Sequence, residues 1–153
     1  MDPRFKVFAH IASPVHAVFE AIADPAQLSH YFTTGGAQGR LEGGATVTWD
    51  FHDFPGAFPV YVIEVVPDER IVLEWKANEQ GEAHVPAYRT TVTITFTPTA
   101  DGRTLVEISE EGWRDTPGGL KASYGNCMGW SQMLAALKTW LEHGINLREG
   151  MYT

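Results

Sequence analysis

The chain has 153 residues, 44% hydrophobic and 20% charged, enough apolar material for a sizeable core and a composition that excludes a disordered polypeptide. Its net charge of −8 argues against a nucleic-acid backbone or an anionic membrane as partner, because both would repel it. The lone cysteine cannot form an internal disulfide and fits a reducing, cytoplasmic setting, and the opening MDPRFKVFAH lacks an apolar run of leader or membrane-spanning length. A single domain is expected.

Arg4 to Ala12 alternates, with Phe5, Val7, Ala9 and Ile11 on one face, which predicts a first strand. Ser13-Pro14 starts a short helix through Ala23, with Val15, Val18, Phe19 and Ile22 at helical spacing; Asp24-Pro25 starts a second, through Phe32. Thr33 to Gly44 is glycine-rich turn sequence with room for a short strand over Ala37 to Leu41. Ala45 to Phe51 alternates again, placing Val47, Trp49 and Phe51 inward. His52 to Pro59, with two prolines and a glycine, reads as a loop. In Val60 to Val66 the outward Glu64 sets a phase that points Tyr61, Ile63 and Val65 inward. Ile71 to Lys76 places Ile71, Leu73 and Trp75 inward, and Ala77 to Ala87 is polar loop. Tyr88 to Thr97 and Arg103 to Trp113 complete the strands.

Pro117 to His143 predicts one long helix, with Thr116 able to cap its start and Gly144 to stop it. Ser123, Asn126, Cys127, Trp130, Met133, Leu134, Leu137, Trp140 and Leu141 share its buried arc. The second half of that arc is Leu and Trp, as a core requires. The first half is small and polar, which leaves space between helix and sheet with polar handles inside. Short turns between strands imply an antiparallel meander, so the expected fold is α+β: a curved sheet wrapped around a long C-terminal helix, with two short helices after the first strand.

The segment from Ser13 to Pro25, S-P-x-x-x-V-F-x-A-I-x-D-P, resembles the opening of the START-like, helix-grip superfamily (SRPBCC). E-E-G-W at Glu110 to Trp113, followed by G-W-x-x-x-L-x-x-L-K-x-W-L-E-H-G at Gly129 to Gly144, resembles its subgroup of activators of heat-shock protein 90 ATPase. The resemblance implies a cavity between sheet and long helix, where relatives bind lipids, hormones or polyketides, and a minority act as cyclases or hydrolases. It also implies a chaperone partner, although the separate N-terminal domain of the eukaryotic co-chaperones has no counterpart here.

Among the residues themselves, His10, His16, His30, His52, His84 and His143 form no metal-binding spacing, and no metal or cofactor is expected. Glu110 shares strand parity with Val106 and Ile108 and so points at the apolar face. Either it reaches water at the strand end, or a bulge resets its phase, or it is a buried ligand anchor or general acid/base. Cys127 is either a core thiol or pocket lining; a nucleophile would need a base that the sequence does not name. Trp49, Phe51, Tyr61, Trp75 and Tyr88 face Trp130 across the expected gap, either as a filled aromatic core or as pocket walls.

The expected ligand-binding set is therefore Trp49, Phe51, Tyr61, Trp75, Tyr88, Glu110, Asn126, Cys127 and Trp130, for a small hydrophobic or amphipathic molecule. The alternatives are a co-chaperone-like module that stimulates a heat-shock protein 90 ATPase, with Phe54 and Phe58 as surface determinants or as a pocket lid, and a hydrolase or cyclase using Glu110. Gly125 and Gly129, four apart, invite close approach of the sheet or of a second subunit in a homodimer.

Overall fold

Alternating segments become strands and the 3.6-period segment becomes a helix in the computed structural model, which describes residues 2–79 and 86–152. Strand β1 (Arg4–Ile11) leads into helices α1 (Val15–Ala23) and α2 (Pro25–Tyr31). Strands β2 (Gly36–Gln38), β3 (Thr46–Phe51), β4 (Phe54–Val66), β5 (Arg70–Lys76), β6 (Arg89–Pro98) and β7 (Thr104–Glu111) follow, and α3 (Pro117–His143) comes last. The sheet is antiparallel throughout, in the order β1-β7-β6-β5-β4-β3-β2. This is the helix-grip α+β fold. His84 and part of the polar loop before β6 lie outside the described residues.

Local chemistry sets the helix ends. Asp24 accepts a hydrogen bond from the Ala26 amide at 3.0 Å, so α2 restarts where α1 stops, and Tyr31 donates to the Ala21 carbonyl at 2.8 Å to hold the two helices together. Thr116 accepts from the Gly119 amide at 3.0 Å to cap α3, and Gly144, in the left-handed region at φ 69°, stops it. No helix among the described residues is long and apolar enough to cross a membrane.

Met133, Leu134, Ala136 and Leu137 bury the second half of α3, and each large side chain sealed there contributes roughly 1.5–3 kcal/mol. Polar ties flank this packing. Lys138 donates to the His10 carbonyl at 2.7 Å, Glu142 accepts from the Ala12 amide at 3.0 Å, and His30 stacks on Trp140 at 4.8 Å. The α3 backbone thus runs closest to β1 and α2 and keeps its distance from β4, β5 and β6. Side chains span that space.

Two expectations about β4 are corrected. Residues His52 to Pro59 are not a loop: the chain turns at His52-Asp53 and β4 begins at Phe54, with its extra residues bulged out around Gly56 at φ 129°. The phase read from Glu64 also fails for Tyr61 and Ile63. A register shift between Val62 and Glu64 lets both Val62 and Val65 face the core, while Ile63 is 50% exposed. Glu64 does face outward, against Arg70.

Candidate functional site

Glu110 stands at the centre of the space under α3. Its parity in β7 sends it inward between Ile108 and the strand end, and no part of it reaches solvent. Strand-end hydration and a phase-resetting bulge are both excluded by this placement. Five hydrogen bonds converge on the carboxylate. Oε1 accepts from the Trp130 indole N–H at 2.9 Å and the Asn126 amide at 3.1 Å. Oε2 accepts from the Trp75 indole N–H at 3.0 Å, the Thr90 hydroxyl at 2.7 Å and the Asn126 amide at 3.0 Å. Strands β5, β6 and β7 and helix α3 each supply one or more of these groups, so the carboxylate ties the helix to the middle of the sheet.

None of the ion pairs among the described residues includes Glu110. Burial pushes its carboxyl above the ordinary value, and the hydrogen bonds from Trp75, Thr90, Trp130 and Asn126 pull it part of the way back. Chemically this is an acceptor saturated with donors, in a dry aromatic setting.

Rings surround it. Trp130 stacks on Trp75 at 5.4 Å, Trp75 meets Trp49 edge-on at 5.9 Å and Phe58 at 6.0 Å, and Phe32 meets Trp130, Trp49 and Phe51 within 5.1–5.6 Å. Past Phe51 lies Arg148, whose guanidinium sits over that ring at 5.0 Å and over Tyr152 at 4.6 Å. Arg148 pairs with Asp53 at 2.8 Å, with both side chains almost wholly buried. An aromatic run therefore connects a buried carboxylate at one end to a buried guanidinium at the other.

Of the residues expected from sequence, Trp75, Glu110, Asn126 and Trp130 come together directly, and Trp49 and Phe51 adjoin them. Cys127 is a free, half-buried thiol next to Asn126 in α3. Tyr61 and Tyr88 do not belong to the group. Tyr61 lies on the other side of the sheet beneath the Arg89 guanidinium, 3.6 Å away, because the β4 bulge follows it. Tyr88 precedes β6 and hydrogen-bonds Glu79 near the start of α3, with Arg114 over its ring at 4.5 Å. Thr90, Phe32 and the Arg148–Asp53 pair were not anticipated. Thr90 shares parity with the buried Val92 and Ile94 and was legible on that ground; Arg148 follows α3 in a stretch with no period to read.

A depression of about 420 Å³ lies away from this space, lined by Asp2, Arg4, Thr91, Glu111, Gly112 and Trp113. Among the described residues no three side chains of metal-ligating type converge.

Residues 12–142 match the profile of the family described as Activator of Hsp90 ATPase homolog 1-like protein. Comparison with curated proteins gives no match. Among solved structures, a protein from Staphylococcus saprophyticus is 26% identical, with 97% of this chain and 96% of that one covered at a TM-score of 0.75. A putative protein of the dynemicin biosynthetic locus is 25% identical at a TM-score of 0.78, and this chain spans 50% of its length while 97% of this chain is covered. An Aha1 from Colwellia psychrerythraea, described as a dimer, is 19% identical over 92% of this chain and 97% of that one, at a TM-score of 0.71, a likeness of fold.

Proposed function

The chain belongs to the Activator of Hsp90 ATPase homolog 1-like family, and from that premise we propose that it binds a small amphipathic molecule between α3 and the concave face of the sheet. One observation carries this reading: Glu110 is a wholly buried carboxylate outside every described ion pair, and two of its donors, Asn126 and Trp75, are only half-buried. A buried charge without a counter-ion is costly, and a core built for stability alone favours apolar packing there. These half-buried donors border the space from β5 and from α3, where a guest can touch them while they keep their hydrogen bonds to Glu110. Trp49, Phe51, Trp75 and Trp130 supply apolar contact for such a guest, and Asn126 and Cys127 line its α3 side. The test is native mass spectrometry of the purified protein before and after gentle denaturation. A carried small molecule, lost on denaturation and absent from an Asn126→Ala, Trp130→Ala variant, is the expected result; a protein that never carries or takes up an apolar mass would overturn the reading.

The family's description favours a second reading, stimulation of a heat-shock protein 90 ATPase. Phe54, 62% exposed and edge-on to Tyr152, is the surface group it would use, and ATPase stimulation by the purified protein decides it. Self-association has its own support. Between Pro117 and Ala135 the one charged residue is Lys121, and Leu120, Tyr124 and Met128 on the outer face of α3 are 43%, 66% and 54% exposed. A methyl group on Gly125 or Gly129 would meet nothing within 4 Å, so approach of the sheet does not explain these glycines. A second copy packed antiparallel would seat Tyr124 and Met128 in the hollows that the glycines leave. The homodimer is read on that face.

A further inference from the structure

Among the described residues three buried side-chain donors have no acceptor: the Trp113 indole, beside Phe5, and two that border the same aromatic run. Arg148 is 5% exposed; it donates to Asp53 Oδ1 at 2.8 Å, while its Nε has no partner. Trp49 is 1% exposed, and its indole Nε1 has no partner either. Phe32 touches Trp49 at 5.6 Å and Phe51 at 5.1 Å, and Phe51 in turn lies 5.0 Å beneath Arg148. A buried donor left unmatched is costly, because it has given up water and gained no acceptor. The fold carries that cost twice around a single pair of rings.

We propose that Arg148 and Trp49 recognise an oxygen-acceptor head, anionic in character, on the molecule bound between sheet and helix. This rests on the ligand-binding reading and adds the class of ligand: an apolar body carrying a carboxylate or sulfonate-like group. The polarity of the two ends decides the direction. At the Glu110 end both carboxylate oxygens are saturated by N–H and O–H donors, so no lone pair is left for a cationic head. At the other end the guanidinium has a planar fork of donors and spends one of them on Asp53; that fork matches an oxyanion in two-point geometry. The apolar body then lies along Phe51 and Phe32 toward Trp130. Access requires the segment around Arg148 and Tyr152 to part from the β3–β4 turn, where it is held by Asp53 and Phe54.

Two dyes with the same ring system separate the possibilities: 1-anilinonaphthalene-8-sulfonate, which has the anionic head, and N-phenyl-1-naphthylamine, which lacks it. The intact protein is expected to bind the sulfonate at one-to-one stoichiometry, roughly tenfold tighter than the amine. Arg148→Met should abolish that preference, bringing the ratio of the two affinities down about tenfold, to near one. Because it strands the buried Asp53 carboxylate, the Asp53→Asn, Arg148→Met pair is measured beside it. Trp49→Phe keeps the ring, deletes the donor and should weaken the sulfonate selectively. Equal binding of both dyes, unaffected in ratio by these variants, would overturn the acceptor-head inference alone. Failure of both dyes to bind at defined stoichiometry would overturn the ligand reading and the inference with it.

Discussion

The indole nitrogen of Trp130 in α3 lies 2.9 Å from Oε1 of Glu110 in β7, and both residues are sealed from solvent. A hydrogen bond to a buried charge is among the stronger single contacts in a protein. Trp130→Phe, which keeps an aromatic ring, should lower unfolding free energy by about 1.5–3 kcal/mol. Urea denaturation with unchanged m-value is the measurement. A loss near zero would mean that the helix is held by its apolar half alone.

Protonation of Glu110 gives a pH signature. Its carboxyl is raised in the folded state, with burial the main cause and the donors opposing it. The fold therefore holds the proton more tightly than the unfolded chain does. The stabilisation is fully present below the unfolded-state value and is lost as pH rises through the raised folded-state value. Against Glu110→Gln, wild-type stability should fall with rising pH over that window, followed by urea midpoints between about pH 4 and 8. A difference that stays flat would show that Glu110 does not titrate there.

Gly119 and the outer glycines of α3 should respond in opposite directions. A Cβ on Gly119 would fall 2.1 Å from the Arg114 carbonyl oxygen, a backbone atom that cannot turn aside. Gly119→Ala should destabilise by about 1–3 kcal/mol or more, read from thermal or urea unfolding.

Gly125→Ala and Gly129→Ala meet open space, so each should stabilise the monomer by about 0.5–1 kcal/mol through helix propensity. If α3 packs on a second copy, the same two changes, and Tyr124→Glu, should shift the protein toward monomer in light scattering coupled to size exclusion. Unchanged mass would remove α3 from the interface.

Capping gives a further expectation. Thr116 accepts from the Gly119 amide and donates to Glu79 at 3.0 Å. Thr116→Ala should cost about 1 kcal/mol in urea unfolding, and Thr116→Ser should restore most of it.

Periodicity made much of the molecule legible beforehand. The bounds of α3 follow from Thr116, Pro117 and Gly144, and strand parity together with the helical arc is what brings Trp75, Glu110, Asn126 and Trp130 to one place. Parity failed where a strand changed phase. Tyr61-Val62-Ile63 is apolar at every position, so either face was open, and the register shift that chooses between them comes from pairing with β5. Tyr88 has the parity of Thr90 but lies one residue before β6 begins at Arg89, outside the pleat that gives parity its meaning. Prolines and a glycine disguised the start of β4, whose irregular stretch is a bulge rather than a loop. Arg148 left no signal, since its burial depends on Asp53, far away in sequence, and on no pattern of its own.

Strand β1 is first in the chain, yet its neighbour in the sheet is β7, the last strand, and its helical cover is α3. During synthesis it must therefore wait, with Phe5, Val7, Ala9 and Ile11 unburied, until nearly the whole chain has emerged. Each strand from β3 onward can zip onto its predecessor as a hairpin, but this closing step joins distant segments and carries the largest loop-closure entropy. Refolding should be slow for a chain of this size, in the millisecond-to-second range of long-range β pairing, and the β1–β7 seam should form late.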